Sequence, residues 1–205
     1  MIQVALDRLT KEECISITEQ TYNHIDYIEI GTGVIKEYGM DIIREFRHRF
    51  PYKKIVADMK TCDAGKDETV QALEAGADIT TVMGFAHDQT ILDSIKIAKE
   101  LNKRVLVDLL EVPVERFQRL KELGVELVSA HIGKDTQVQA ERYSLERYKS
   151  LSDDFTVFVA GGISPESVQR FEKLKPDVFI VGGYITSAAN PGKASATIKE
   201  VIPKT

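Results

Sequence analysis

Short β-branched runs in this chain are closed at a nearly fixed interval, three times by an aspartate and once by a glycine. The residue after the run in alternate units falls at Asp7, Asp58, Asp108 and Gly161, spaced 51, 50 and 53 residues apart. The intervening units carry their own mark, an acid at the entrance: Asp26, Asp78, Glu126 and Asp177, spaced 52, 48 and 51. A period held over four cycles calls for an architecture in which every second unit occupies an equivalent place. A closed ring of strands has that property. An open doubly wound sheet, whose strand order reverses at a switch point, does not, and no GxGxxG follows the first run.

The apolar runs predict strands near 2–6, 26–30, 54–59, 78–83, 104–109, 126–131, 155–160 and 178–182, each followed by a helical pattern. Eight such units in 205 residues predict an α/β fold, a compact (β/α)8 TIM barrel, as a single domain over residues 1–205. The punctuation agrees. Thr10-Lys11-Glu12-Glu13 reads as a capping box, Ser164-Pro165-Glu166 as an N-cap with proline at the first helical position, and Gly76 and Gly124 as helix stops. Between Pro113 and Gly124, the spacing of Val114, Phe117, Leu120 and Leu123 predicts one helix face lying on the barrel.

Composition narrows the function classes. With 27 basic against 32 acidic residues and no Lys/Arg block, the chain lacks the clustered positive charge that nucleic acids and anionic membranes require. Its longest uncharged stretch, Val178 to Gly192, is broken by glycines and a proline, which argues against a membrane span. The first residues lack the basic start and long apolar centre of a signal peptide. Two cysteines, Cys14 and Cys62, make no disulfide framework, so a reducing, cytoplasmic setting is expected.

In a parallel barrel the chemistry sits at the C-terminal ends of the strands. Asp7, Asp58 and Asp108 close the first, third and fifth runs, and Glu29 stands near the end of the second. Four carboxylates at one mouth repel one another unless a cation intervenes, and the candidates are Lys60 and a divalent metal; oxygen-only ligands favour Mg²⁺ over zinc. The sharpest local motif is Asp58-Met59-Lys60-Thr61-Cys62-Asp63, in which Asp58 and Lys60, two apart on an extended strand, share a side while Asp63 lies on the loop beyond. Gly161-Gly162 and Gly182-Gly183, after the seventh and eighth runs, place bare N–H groups where many barrels hold a phosphate. His131, ending the sixth run, is the one histidine of four at a rim position and suits proton transfer on a sugar phosphate. Cys62, flanked by carboxylates that disfavour a thiolate, reads as packing, and Met83, Phe85, Phe117, Phe158, Phe171 and Phe179 read as core.

Together the segments Gln3-Val4-Ala5-Leu6-Asp7, Glu29-Ile30-Gly31-Thr32, Ala57-Asp58-Met59-Lys60-Thr61-Cys62-Asp63-Ala64-Gly65, Val107-Asp108-Leu109, Ala130-His131-Ile132-Gly133, Ala160-Gly161-Gly162-Ile163 and Val181-Gly182-Gly183 resemble the orotidine monophosphate decarboxylase suprafamily over nearly the whole chain. Within it the chain is most similar to the aldolases that join formaldehyde to ribulose 5-phosphate. The resemblance implies a reversible Mg²⁺-dependent condensation through an enediolate, with Mn²⁺ a possible substitute, and a homodimer with shared sites in which Asp63 reaches into the partner. It further implies metal ligation by Glu29 and Asp58, an ammonium on Lys60 held in place by Asp7 and Asp63, substrate hydroxyls on Asp108, proton transfer by His131, and a phosphate grip by the glycine pairs. Lys134, three residues past His131, stands near where the sister 3-keto-L-gulonate 6-phosphate decarboxylases carry an arginine. Gly33 stands where the aldolases often carry proline, and Tyr184 follows the second glycine pair, so phosphate contacts are expected to rest mainly on backbone N–H groups. The decarboxylase activity is the alternative, and a sugar-phosphate-binding regulator without turnover a more distant one.

Overall fold

A computed structural model describes residues 1–133, 135 and 145–203. Eight parallel strands close into a barrel: β1 (Ile2–Leu6), β2 (Tyr27–Ile30), β3 (Lys54–Thr61), β4 (Ile79–Met83), β5 (Arg104–Asp108), β6 (Leu127–His131), β7 (Thr156–Ala160) and β8 (Val178–Val181). Each strand pairs with the next, and β8 returns to β1 through Ile2 with Phe179, Gln3 with Ile180 and Val4 with Val181. The predicted barrel is therefore borne out, strand by strand.

Helices cover the outside: α1 (Lys11–Thr21), α2 (Thr32–Tyr38), α3 (Asp41–Arg49), α4 (Gly65–Glu74), α5 (Asp88–Glu100), α6 (Glu115–Glu122), α7 (Val168–Glu172), α8 (Gly183–Thr186) and α9 (Pro191–Val201). The capping box at α1 forms as expected, Thr10 and Glu13 each accepting the other's backbone N–H. Gly76 and Gly124 adopt φ of +119° and +80° past their helices, a region that favours glycine. The Ser164 cap does not form. Its hydroxyl donates to Glu166 at 2.7 Å, and a turn intervenes so that α7 starts only at Val168. On α6, Leu120 and Leu123 are buried and Phe117 half-buried, whereas Val114 precedes the helix and stays exposed.

The period-two alternation of the strands divides the core into two layers. Outward residues such as Val4, Ile28, Ile55, Val107, Val128 and Val157 pack under the helices. Inward residues Val56, Ile79, Leu106, Leu127, Phe158, Val178 and Ile180 fill the barrel as a plug, with Tyr27 and Ala5 against it. The entrance acids belong to the opposite end from the mouth. Asp26, Asp78 and Asp177 each accept the N–H of a residue in the preceding odd strand, Ile2, Ile55 and Val157, at 2.7–2.9 Å. Glu126 instead pairs with the Arg104 side chain at 3.3 Å. At three of the four even strands the acidic mark is thus a register device that satisfies a backbone donor at the barrel floor.

Two packing expectations fail for one reason. Phe85 is 55% exposed and Cys62 is exposed, because both lie just past the ends of their strands, where the chain leaves the sheet for the mouth loops. Among the described residues no helix is long and apolar enough to cross a membrane.

Candidate active site

One strand step above the apolar plug, the inward positions change character. Val56 is followed by Asp58, Leu106 by Asp108, Tyr27 by Glu29 and Ala5 by Asp7, while the β6 row from Leu127 runs through Ser129 to His131. These residues line a cavity of about 850 Å³ at the C-terminal mouth. Every candidate residue read from the sequence lines it except Asp63; the glycines after β7 and β8 form part of its wall.

At the floor, Asp108 lies between a lysine and a histidine. Lys60 Nζ is 3.0 Å from Asp108 Oδ2 and His131 Nδ1 is 2.9 Å from the same oxygen. The Leu110 N–H donates to the other oxygen at 2.9 Å. Burial alone would raise the Asp108 pKa, but the bond from His131 and the two neighbouring charges outweigh it and hold the carboxyl down at about 2. For His131, burial opposes the charged ring, yet the bond to Asp108 prevails and raises its pKa above 6.5. With Nδ1 engaged, Nε2 is the nitrogen available to a ligand.

Asp58 is gripped from three sides. Lys60 Nζ lies 3.1 and 2.9 Å from its two oxygens, the Thr81 hydroxyl donates to Oδ1 at 2.8 Å, and the Thr32 hydroxyl reaches Oδ2 at 2.9 Å. The Lys60 pKa is raised, since the flanking Asp58 and Asp108 carboxylates overcome a burial cost that would otherwise lower it. Glu29 accepts from Gln3 Nε2 at 2.5 Å, and burial together with repulsion from Asp58 pushes its pKa up to about 8.

The partners of Lys60 differ from those the resemblance implies. Asp7 is engaged elsewhere, accepting the Gly33 N–H at 2.8 Å and pairing with Arg8 at 3.1 Å. Asp63 is exposed and accepts its own neighbour's N–H, that of Ala64, at 2.8 Å. Within one chain the ammonium is held by Asp58 and Asp108. The Gly33 contact also explains that residue: a Cβ there would sit 2.6 Å from Asp7 Oδ1, and proline would lack the N–H.

The motif converges by a different local route as well. β3 runs on to Thr61 through a register shift in which Ala57 pairs with Thr80 and Thr61 with Val82, so four steps on β3 answer two on β4. Lys60 adopts φ of +50° inside this bulge. The shared side of Asp58 and Lys60 therefore comes from an irregular strand, not from plain alternation.

The glycine pairs have separate physical reasons. Gly161 stands at φ +105°, and a Cβ on it would lie 2.3 Å from the Ile132 carbonyl oxygen, so the fold itself requires glycine. Gly182 and Gly183 have no such demand: the nearest atom to a Cβ on Gly182 is 3.8 Å away and Gly183 faces open space. Gly183 opens α8, whose first N–H groups have no partner within the helix. Lys134 lies outside the described residues.

Among the described residues no group of three or more His, Cys, Asp or Glu is placed to hold a metal. Glu29 and Asp58 do fit a magnesium-like ion. They are adjacent carboxylates whose mutual repulsion is visible in the raised Glu29 pKa, and Mg²⁺ ordinarily takes only one or two protein carboxylates, completing its shell with water and substrate oxygens.

Arg8 and Thr81, which the sequence does not distinguish from ordinary loop and strand residues, also line the cavity, as does Thr32 of the resembling segment after β2. A closed (β/α)8 barrel that gathers a lysine–carboxylate–histidine chain and glycine-walled loops at its C-terminal mouth is of the enzyme class that carries its chemistry on that face. Residues 1–198 match the orotidine 5'-phosphate decarboxylase / HUMPS family, and the chain belongs to it. It is 36% identical over 205 residues to the 3-hexulose-6-phosphate synthase of Bacillus subtilis, covering 98% of each chain. The crystal structure of 3-hexulose-6-phosphate synthase from Salmonella typhimurium superimposes with a TM-score of 0.92 at 34% identity, over 98% of this chain and 97% of that one. That of 3-keto-L-gulonate-6-phosphate decarboxylase from Vibrio cholerae gives 0.88 at 29% identity, over 99% of both.

Proposed function

We propose that this chain catalyses the reversible, Mg²⁺-dependent aldol condensation of formaldehyde with ribulose 5-phosphate to D-arabino-3-hexulose 6-phosphate. The observation that carries the reading is the continuous contact from Lys60 through Asp108 to His131 on the cavity floor. Such a chain suits a reaction in which one proton leaves carbon, negative charge spreads over two oxygens, and a proton returns. The synthases among the relatives, at 34% and 36% identity, support the particular substrate pair.

In this reading each step falls to a residue of the mouth. His131 Nε2 takes the C1 proton of ribulose 5-phosphate, leaving an enediolate over C1 and C2. Asp108 holds the ring by Nδ1 and stabilises the imidazolium that forms. Lys60, kept charged by its two carboxylates, faces the developing oxygen charge. The C1 carbanion equivalent then attacks the carbonyl carbon of formaldehyde, a C–C bond forms, and His131 returns its proton to the new alkoxide. Glu29 and Asp58 would hold the divalent ion, which supplies Lewis-acid stabilisation to substrate oxygens when bound. Gly161, Gly162, Gly182 and Gly183 present backbone N–H groups to the 5-phosphate, whose binding energy aligns the small aldehyde.

A homodimer with shared sites completes the reading. Asp63 and Phe85, exposed at the same mouth, would face a second copy. The test is direct: supply ribulose 5-phosphate and formaldehyde with Mg²⁺ and, in parallel, 3-keto-L-gulonate 6-phosphate. Consumption of the first pair with formation of the hexulose phosphate is expected. Dominant decarboxylation would assign the chain to the sister activity, and binding of sugar phosphate with no turnover of either would make it a regulator.

A further inference from the structure

Thr81 sits on β4, facing inward and 4% exposed, at the point where the β3 bulge must be held in shape. Its single hydroxyl does two things. It accepts the Lys60 backbone N–H at 2.9 Å and donates to Asp58 Oδ1 at 2.8 Å. The hydroxyl thus ties the backbone of one member of the Asp58–Lys60 pair to the side chain of the other, across from the neighbouring strand.

The geometry makes this tie consequential. Lys60 is held at φ +50°, a conformation that a non-glycine residue occupies only when its surroundings impose it. In the bulge the ordinary ladder between β3 and β4 is interrupted between Ala57 and Thr61, so the Lys60 N–H has lost its ladder partner and takes the hydroxyl instead. Freed from that bond, Lys60 can relax toward an extended conformation, and its side chain would leave the line between Asp58 and Asp108. Asp58 would at the same time lose one of the donors that orient its carboxylate.

We infer that Thr81 is a positioning residue, acting through the Asp58–Lys60 pair to set the reactive geometry of the mouth. The inference rests on the proposed aldolase reading for its kinetic consequence but not for its structural one. Carboxylate and ammonium must be placed within a fraction of an ångström for charge stabilisation to count, and a loss of that order costs one to two powers of ten in rate.

The test compares Thr81→Val, Thr81→Ala and Thr81→Ser. Valine keeps the volume and lacks the hydroxyl; alanine and serine are similarly small and differ in the hydroxyl alone. On C1-proton exchange and on the overall reaction, Thr81→Val and Thr81→Ala should both lower kcat about 10- to 100-fold while KM for the sugar phosphate stays within about twofold, and Thr81→Ser should retain most of the rate. Backbone hydrogen exchange at Lys60 supplies a readout independent of activity: it should accelerate in the valine and alanine variants and stay slow in serine. If the wild type turns over none of the proposed substrates, the exchange pattern still decides the structural claim. Serine falling as far as alanine in kcat, or Lys60 exchange indifferent to the hydroxyl, would overturn the inference.

Discussion

His131 Nδ1 lies 2.9 Å from Asp108 Oδ2, and this contact sets the charge state of both residues. Asp108 is held at about 2 and His131 above 6.5, so the two form an ion pair over most of the range in between. The base form of His131 appears only as pH rises through its elevated pKa. The rate of C1-proton exchange should therefore climb with pH along a limb lying above 6.5. Asp108→Asn should move that limb to lower pH, because the carboxylate that favours the imidazolium is gone, and should lower the plateau by about 10²- to 10⁴-fold through loss of ring orientation. His131→Ala should nearly abolish exchange at every pH. Exchange that survives in the alanine variant removes His131 from the mechanism.

The same pair shapes stability. The contribution of His131 is fully present below about 6.5 and is lost as pH rises through the raised pKa. That of Asp108 is present above 3.8 and lost as pH falls toward about 2. Thermal melts of wild type and Asp108→Asn should converge as pH falls toward 2, separate most between 3.8 and the raised His131 pKa, and keep above it the part of the difference that the Lys60–Asp108 pair supplies.

Glu29 behaves in the opposite sense to Asp108. Its pKa rises on folding from 4.5 to about 8, so its contribution is present below 4.5 and is lost as pH rises toward 8. Without a divalent ion the chain should lose stability over that interval, and Mg²⁺ should restore it, with the restored part growing as pH rises because metal and proton compete for the carboxylate. Glu29→Gln should remove both effects. Activity should vanish in excess chelator and return with Mg²⁺ or Mn²⁺. Full activity in chelator would sink metal dependence.

How much of this was legible beforehand depends on what kind of distance each feature spans. Asp58, Asp108 and His131 are legible because a barrel converts sequence period into a shared height: Asp58 and Asp108 stand one inward step above an apolar residue of the plug, and His131 two steps above Leu127. The entrance acids were visible as a pattern, but their purpose required seeing Asp78 Oδ2 on the Ile55 N–H. The conformation of Lys60 was not readable, since a bulge arises from the mismatch of two strands and leaves no mark in either alone. Thr81 reads in the sequence as an ordinary strand residue, and Gln3 and Thr32, although inside the resembling segments, carry no mark of a polar role there. Only the spatial neighbours of their polar atoms distinguish them.

Asp63 offers a test of quaternary structure. It points away from Lys60 within the chain and stands exposed beyond the β3 tip. If it serves a neighbouring subunit, Lys60→Ala and Asp63→Ala should each be nearly inactive alone, and mixing them with subunit exchange should restore part of the activity, because one site in the mixed dimer is then intact. Confirmed exchange without recovery would place both residues in the same subunit's site.

The two glycine pairs should respond to substitution in different currencies. Gly161→Ala places a methyl group 2.3 Å from the Ile132 carbonyl oxygen at a φ of +105°, so it should lower stability by about 1–3 kcal/mol or more, read as a fall in the melting temperature. Gly182→Ala meets nothing closer than 3.8 Å, so the fold has room for its methyl group. If the N–H groups there hold a phosphate, the added methyl crowds the approach of that ligand. KM for ribulose 5-phosphate should then rise severalfold with the melting temperature close to wild type, and Gly183→Val, built into open space at the start of α8, should do the same more strongly. Inorganic phosphate, as a competitive ligand, should lose affinity in step with KM in both variants. An unchanged KM and phosphate affinity in Gly183→Val would move the phosphate grip away from the β8 loop and leave the glycines there without a binding role.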